Sequence, residues 1–258
     1  MRQFSVRGLC GVVGVGLSVA VLGAASPAYA STDVAHWNMD ELSGATTMVD
    51  TSPNGFDGSL FGAVVTGTYA GVSTQTGWAY QFNNGATCNS STSTTTGSGY
   101  AVVTGGTVGV SSATQPTFNP GTQPFTVSTW VKTAATPGTG ICDFDLIRKG
   151  GGWKMEIYPF SHVAQPNCVW NGIINATHVK VGLHARLPTG AINDGAWHQI
   201  TCRRTASGEA LIVGGQILAS SAVNVGSIKN TAHVVVGAQE KGLDFYQGLM
   251  DDTSFTVG

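Results

Sequence analysis

The sequence predicts an all-β fold, a sandwich of two antiparallel sheets arranged as a jelly roll. Three observations predict it. Short apolar runs alternate with polar residues at a period of two, the pattern of half-buried strands. Gly, Pro, Asn and Ser punctuate those runs at short spacing. No stretch of the 258 residues sustains the 3.6-residue period of an amphipathic helix. Composition agrees: DEKR residues make up only 10% and AVILMFWYC residues 42%, a balance opposite to that of disordered chains. Glycine, at 36 residues, is about twice its usual share and suits a turn-rich chain. The formal charge is −2 and no basic run exceeds two residues. A surface that tracks phosphates is therefore not expected, and nucleic acid is not an expected partner.

The elements follow in chain order. Residues 1–30 read as a signal peptide: Arg2 and Arg7 form a basic start, Gly11 to Leu22 an apolar run, and Ala28-Tyr29-Ala30 a small-x-small cleavage site before Ser31. A retained membrane anchor is the alternative, but the run is shorter than the ~20 residues a span requires. The expectation is a secreted, extracellular chain with no membrane span, its residues 31–258 forming one domain. Pro124 to Lys132 alternates, with Phe125, Val127 and Val131 on one face and Ser128 and Lys132 on the other. Ala210 to Val213 is a β run closed by Gly214-Gly215, a hairpin signal. Ala232 to Gly237 and Gly248 to Val257 are further strands. Turns are marked by Pro53-Asn54-Gly55, Pro137-Gly138, Gly150 to Gly152, Asn193-Asp194-Gly195 and Ser207-Gly208. Asn83 to Gly99 is mostly Asn, Ser, Thr and Gly and reads as a loop, with an interdomain linker as the alternative.

Export places the cysteines in an oxidising compartment. Cys10 leaves with the signal peptide; Cys88, Cys142, Cys168 and Cys202 remain and allow three pairings. None has C-x-x-C spacing, so a zinc thiolate site is not expected. Cys168 and Cys202 sit in strand-like segments, Cys88 and Cys142 near loops; the expected bridges are Cys168–Cys202 and Cys88–Cys142.

Six phrases carry a family resemblance. Ala35-His-Trp-Asn-Met-Asp-Glu-Leu-Ser-Gly44 resembles the opening strand of LamG-like jelly-roll domains, and Asp50 to Gly58 their following turn. Gly77-Trp-Ala-Tyr-Gln-Phe82, Phe125 to Val131, Asp194 to Cys202 and Gly248 to Phe255 resemble later segments, in the family's order. The resemblance covers nearly all of residues 33–257 and implies the concanavalin A-like sandwich of two antiparallel sheets. Pro53 stands where the family has Gly, and Gly214-Gly215 where it has Asp-Gly.

The resemblance also implies a structural calcium bridging the early turn to the last strand. Calcium takes six to eight oxygens; Asp50, Asn54, Asp57 and Asp251 offer side-chain oxygens. Strand alternation sets Asp251 with Leu249, Phe255 and Val257 on the core side, where an unpartnered carboxylate is costly. The alternative is that Asp50 and Asn54 make Asx turns and Asp251 accepts from backbone amides.

Catalytic patterns are weak. Trp197 and His198 point to opposite faces of a strand, Trp197 to the core, and no G-x-S-x-G accompanies His198. The E-x-D-x-x-E strand of sandwich glucanases is absent, as are the paired strands of sandwich lyases. Asp143 and Asp145 are spaced i, i+2, but no third acid stands beside them. The expected function is therefore a non-catalytic recognition module for extracellular or cell-wall carbohydrate. An adhesion domain for protein ligands, or a hydrolase or lyase on the same sandwich, are the alternatives. Sugar sites pair aromatic faces with amides and carboxylates. Trp153, Tyr158, Trp170 and Tyr246, near Glu156, Asn171 and Asp244, are the expected ligand-binding residues, with core packing the alternative for Trp153 and Trp170.

Overall fold

The computed structural model describes residues 31–72, 77–83, 87–89, 94–96, 99–103, 118–137, 143–239 and 243–258. Its strands are β1 (Thr32–Trp37), β2 (Thr47–Met48), β3 (Gly58–Phe61), β4 (Val64–Ala70), β5 (Trp78–Phe82), β6 (Thr87–Asn89), β7 (Thr94–Thr96), β8 (Tyr100–Val103) and β9 (Phe125–Lys132). They continue with β10 (Phe144–Lys149), β11 (Trp153–Phe160), β12 (Val163–Ile174), β13 (Thr177–His184), β14 (Trp197–Thr205), β15 (Gly208–Val213), β16 (Gln216–Ser221), β17 (Val234–Val236) and β18 (Gly248–Val257). Among the described residues no helix is long and apolar enough to cross a membrane.

Two eight-stranded antiparallel sheets form the sandwich. The first runs β16-β15-β14-β9-β18-β5-β4, with β1 also paired to β18; the second runs β13-β12-β11-β10-β17-β8-β3-β2. The β6–β7 ribbon stands apart, inside the Asn83–Gly99 stretch that the sequence leaves as a loop. The architecture is the one the sequence predicts, and β18 occupies the predicted span.

Alternation explains how each strand serves its sheet. In β9, Phe125, Val127, Thr129 and Val131 are buried, while Thr126, Ser128, Trp130 and Lys132 are half-exposed. In β11, Trp153, Met155 and Ile157 join the core, so Lys154, Glu156 and Tyr158 lie on the outer face of the second sheet. Rings interlock between the sheets: Trp153 stacks on Phe255 at 5.2 Å, and Phe125 meets Phe255 at 5.6 Å. Gly214 and Gly215, at φ +55° and +81°, turn β15 into β16 as the hairpin signal predicts.

Two orientations differ from expectation. Trp197 pairs with Lys132 and His198 with Val131, so Trp197 takes the outer face and is half-buried. His198 shares the parity of core positions but lies where the sandwich ends, and its Nε2 bonds the Asp194 carboxylate at 2.8 Å. The second difference is in β18. A bulge between Asp251 and Ser254, with Asp252 at φ +48°, inserts one residue and flips the parity. Met250 and Phe255 both enter the core, whereas Asp251 lies on the opposite face from Phe255. Its burial there comes from Gly71 and Val72, whose backbone covers it.

Cys168 of the second sheet and Cys202 of the first form a disulfide across the core, with 5.7 Å between Cα atoms. This is one of the two expected bridges; the Cys88–Cys142 pairing lies outside the described residues. The cross-link closes a loop of sequence separation 34. Replacing both Cys168 and Cys202 by Ala should lower the unfolding free energy by roughly 3–4 kcal/mol, as the chain-entropy model gives for such a loop. Urea denaturation of the variant beside the parent measures it; an unchanged midpoint would show that the bridge contributes nothing.

Candidate functional site

The expected ligand-binding aromatics separate into two groups. Trp153, Trp170 and Tyr246 are 2%, 1% and 0% exposed and belong to the core cluster. Trp153 donates its indole N–H to the Phe118 carbonyl at 3.3 Å, and the Tyr246 hydroxyl bonds the Leu249 carbonyl at 2.9 Å. Rings covered on both sides by protein have no face left for a sugar, so these three are packing residues. Tyr158 alone stays at the surface, 36% exposed on the outer face of the second sheet.

That face carries chemistry that the separate phrases of the sequence conceal. Asp145 pairs across the ladder with Glu156, and Glu156 with Asn167, which sets three polar side chains side by side on β10, β11 and β12. Asp143, just before β10, and Asp244, whose carbonyl accepts from the Asp145 N–H at 2.9 Å, complete the group. Asp143, Asp145 and Glu156 each place an oxygen within 4.8 Å of the others. The third acid expected to be missing beside Asp143 and Asp145 is thus supplied by the neighbouring strand.

An internal ammonium neutralises the group. Lys154 Nζ lies 2.8 Å from Asp143 Oδ2 and 3.6 Å from Asp145 Oδ1, and donates to Glu156 Oε2. Arg148 Nη1 donates to Asp145 Oδ2 at 2.5 Å and to Gln239 Oε1 at 2.8 Å. Asn167 Nδ2 donates to Glu156 Oε1. The crowding splits the acids. Burial, and then the bond and charge of Asp143, push Glu156 up to about 9. Burial and the charges of Asp143 and Asp145 push Asp244 up to about 8. Burial alone would also raise Asp143, but its bond with Glu156 and the Lys154 ammonium pull it below the usual carboxylate value. Burial raises Asp145 despite Lys154 and Arg148.

Aromatic residues flank the acids on both sides. Toward β3, Phe61 (44% exposed) stacks on Tyr100 at 5.2 Å, and Tyr100 meets Phe245 at 6.2 Å. Phe245 reaches the acids through its bridge to Asp145. At the end of β11, Phe160 stacks on His184 at 4.3 Å, with the Arg186 guanidinium 5.6 Å from its ring. The alternation in Gly58–Phe61 and Tyr100–Val103 was the available signal for the first set; their shortness hid it.

The residues expected to hold calcium are divided between two places. Asp50 is the hub of the early turn: Oδ1 accepts from His36 N and Ser52 N at 2.8 and 2.9 Å, and Oδ2 from Phe56 N and Ser52 Oγ at 2.7 and 2.8 Å. Asn54 turns its amide N–H toward the Asp33 and Val34 carbonyls, and Asp57 accepts from Asp50 N. This is the Asx-turn alternative, with the carboxylate lone pairs of Asp50 already engaged. Asp251 instead accepts from Val72 N at 2.8 Å, while Asp40 accepts from Trp78 N at 2.7 Å, so two carboxylates clasp the ends of one short segment. Burial, opposed by backbone donors but aided by the charge of Asp40, pushes Asp251 up to about 6.

These shifts fix the sign of the pH response. Glu156, Asp244 and Asp251 have native values raised above their unfolded ones, so each disfavours the folded state progressively as pH rises toward its native value. His36, raised by its bond to Asp252, acts in the same direction. The melting temperature should fall between pH 5 and pH 9, and a Glu156→Gln protein should show a shallower fall. A flat profile in the parent would contradict the raised values.

The family model of the concanavalin A-like lectin/glucanases superfamily matches residues 104–256, more than half of the chain. Comparison with curated proteins gives no match. Solved structures share the fold at low identity. The binding domain of Paraclostridial Mosquitocidal Protein 1 aligns over 81% of this chain at 16% identity with a TM-score of 0.51. The botulinum neurotoxin serotype D binding domain aligns over 86% at 14% identity and 0.51. This chain spans 45% and 47% of those two. Domain 4 of AbnA, a GH43 extracellular arabinanase from Geobacillus stearothermophilus solved with arabinotriose, aligns over 88% of this chain and 93% of its own length, at 16% identity and a TM-score of 0.52. With the matching family segment and the two-sheet sandwich in agreement, the chain belongs to the concanavalin A-like lectin/glucanases superfamily.

Proposed function

We propose that this protein is an exported, non-catalytic module that recognises carbohydrate through the outer face of its second sheet. The observation that carries the reading is the arrangement on that face: a buried polar cluster between exposed or half-exposed rings, Phe61 and Tyr100 on one side and Tyr158 and Phe160 on the other. Rings offer flat faces to sugar C–H groups, and amides and carboxylates beside them take the hydroxyls. The similar domain of the arabinanase was solved with arabinotriose, and a neurotoxin binding domain with SialylT, which supports a glycan ligand. Export rests on the basic, apolar and Ala28-Tyr29-Ala30 sequence of residues 1–30; the intact mass of protein recovered from culture medium should begin at Ser31.

Affinity electrophoresis through a panel of polysaccharides tests recognition. Tyr158→Ala and Phe61→Ala should each weaken retention roughly tenfold if the ring stacks on sugar, equivalent to about 1.4 kcal/mol. Melting should stay at the parent value, because both rings are exposed. Retention unchanged in both variants would place the ligand elsewhere, and a protein partner recovered in place of any glycan would favour adhesion.

Hydrolysis is a second reading, and one observation favours it. Asp143, Asp145 and Glu156 place carboxyl oxygens within 4.8 Å of one another, the close pairing of acids that retaining glycoside cleavage uses. Against it, Lys154 occupies the space among the acids, and Glu156 and Asp145 are 2% and 0% exposed. Release of reducing ends by the pure protein, lost in Glu156→Gln, would establish hydrolysis.

Calcium belongs to the same proposal, with its ligands centred on Asp251 and Asp40 instead of the saturated Asp50. Two carboxylates on one backbone segment are hard oxygen donors of the type calcium takes, and a cation there would relieve their repulsion. Its contribution would be structural, tying β18 to the segment before β5. Chelator should lower the melting temperature of the parent, calcium should restore it, and Asp251→Asn should abolish the response. A parent indifferent to chelator and to added calcium would exclude the site.

A further inference from the structure

Beside the acids, the same outer face holds a cavity of about 220 Å³ lined by Arg148, Lys154, Asn171, Lys180 and Gln239 over a floor that includes Val169. These positions are adjacent by register: Arg148 opposite Lys154, Lys154 opposite Val169, and Asn171 opposite Lys180. Twelve Lys and Arg occur in the sequence, two of them in the first thirty residues, and four of the remaining ten line this one small space, although Lys149 turns its ammonium to the Ala232 carbonyl.

The chemistry of the lining is one-sided, since no carboxylate contributes to it. Arg148 uses only Nη1 for Asp145 and Gln239. Gln239 has its Oε1 engaged by that bond, which leaves its amide N–H groups. Among the described residues, Lys180 has no ion pair, and neither Lys180 nor the Asn171 side chain has a hydrogen-bond partner. Lys180 and the amides of Gln239 and Asn171 bring unused donors to the cavity, and Lys180 adds a positive charge without an ion pair, so a ligand with acceptors and negative charge fits it. Asp143 and Asp145 neutralise Lys154 and Arg148, so the uncompensated positive charge at the cavity is that of Lys180.

We propose that this cavity is an oxyanion subsite, which takes the carboxylate or phosphate of an anionic glycan while neighbouring sugar hydroxyls meet Asn171 and Gln239. The proposal rests on the carbohydrate reading above and narrows it to acidic chains. The cavity is smaller than the ~300–1,000 Å³ of sites for drug-sized ligands, which suits one charged ring or phosphate group and not a buried chain. Lys154 and Arg148 are held by the acids, so that wall of the cavity is fixed in place; Lys180, exposed on β13, brings the free charge to the open side.

The test uses the full exported chain and three probes: an oligogalacturonate, a poly(glycerol phosphate), and a neutral arabinan oligosaccharide. Titration calorimetry should show one or both anionic probes binding at least tenfold more tightly than the neutral one, and which of the two binds identifies the source of the oxyanion. Lys180→Ala should weaken anionic binding roughly tenfold, the usual effect of losing one charge-assisted contact, and Lys180→Glu should abolish it. Neither change should move arabinan binding or the melting temperature. Equal affinity for anionic and neutral probes, or parent-like binding by Lys180→Glu, would overturn the subsite and leave the carbohydrate reading standing. Absence of binding to all three probes, with no retention across the polysaccharide panel, would overturn both.

Discussion

Two sheet faces must meet without water between them, and that constraint governs where most polar groups of the described strands go. Each strand has one apolar row, and the rows of β9, β14 and β18 close on those of β10, β11 and β12. The rings of Trp153, Phe125 and Phe255 interlock where they meet, and Cys168–Cys202 fixes the separation covalently. With the inner faces committed to packing, polar chemistry gathers on the outer faces and the sheet ends, while the buried Thr129 and Thr253 satisfy each other's hydroxyls. The bulge in β18 follows the same logic: one inserted residue lets Met250 and Phe255 both face inward while Asp251 is turned out.

On the outer face of the second sheet, the limiting cost is electrostatic. A buried ion without a partner costs several kcal/mol even after relaxation. Four carboxyl groups gathered near β10 are tolerable because Lys154 and Arg148 supply two fixed positive charges and because burial raises Glu156 and Asp244, which favours their neutral forms. The consequence is rigidity. Lys154 makes contacts to three acids, so the polar floor between the flanking rings has a defined geometry.

The early turn shows how one residue type can serve two purposes. Asp50 resembles a metal ligand in sequence, yet its carboxylate organises the turn through main-chain and hydroxyl donors from His36, Ser52 and Phe56. The same bonds fasten β1 beside the segment leading to β3. Asp251 and Asp40, far apart in sequence, instead share a backbone segment, and their proximity has no counterpart in any local motif.

The sequence by itself determined the fold class, the bounds of β18, the Gly214-Gly215 hairpin and the strands that carry Cys168 and Cys202, because alternation and turn chemistry are local and periodic. It also named Tyr158, Glu156 and Asn171, which the structure sets on the outer face of the second sheet. Only the tertiary structure decided that Trp153, Trp170 and Tyr246 pack inward, since a tryptophan in a strand reads the same whether its partner is a ring or a sugar. Only the ladder registers set Glu156 beside Asp145 and Lys180 beside Asn171, because strand pairing joins residues whose separation in sequence carries no signal. The outward turn of Asp251 was likewise hidden: a one-residue bulge reverses every side chain beyond it, and nothing in the alternating pattern of Gly248 to Val257 marks where the extra residue sits.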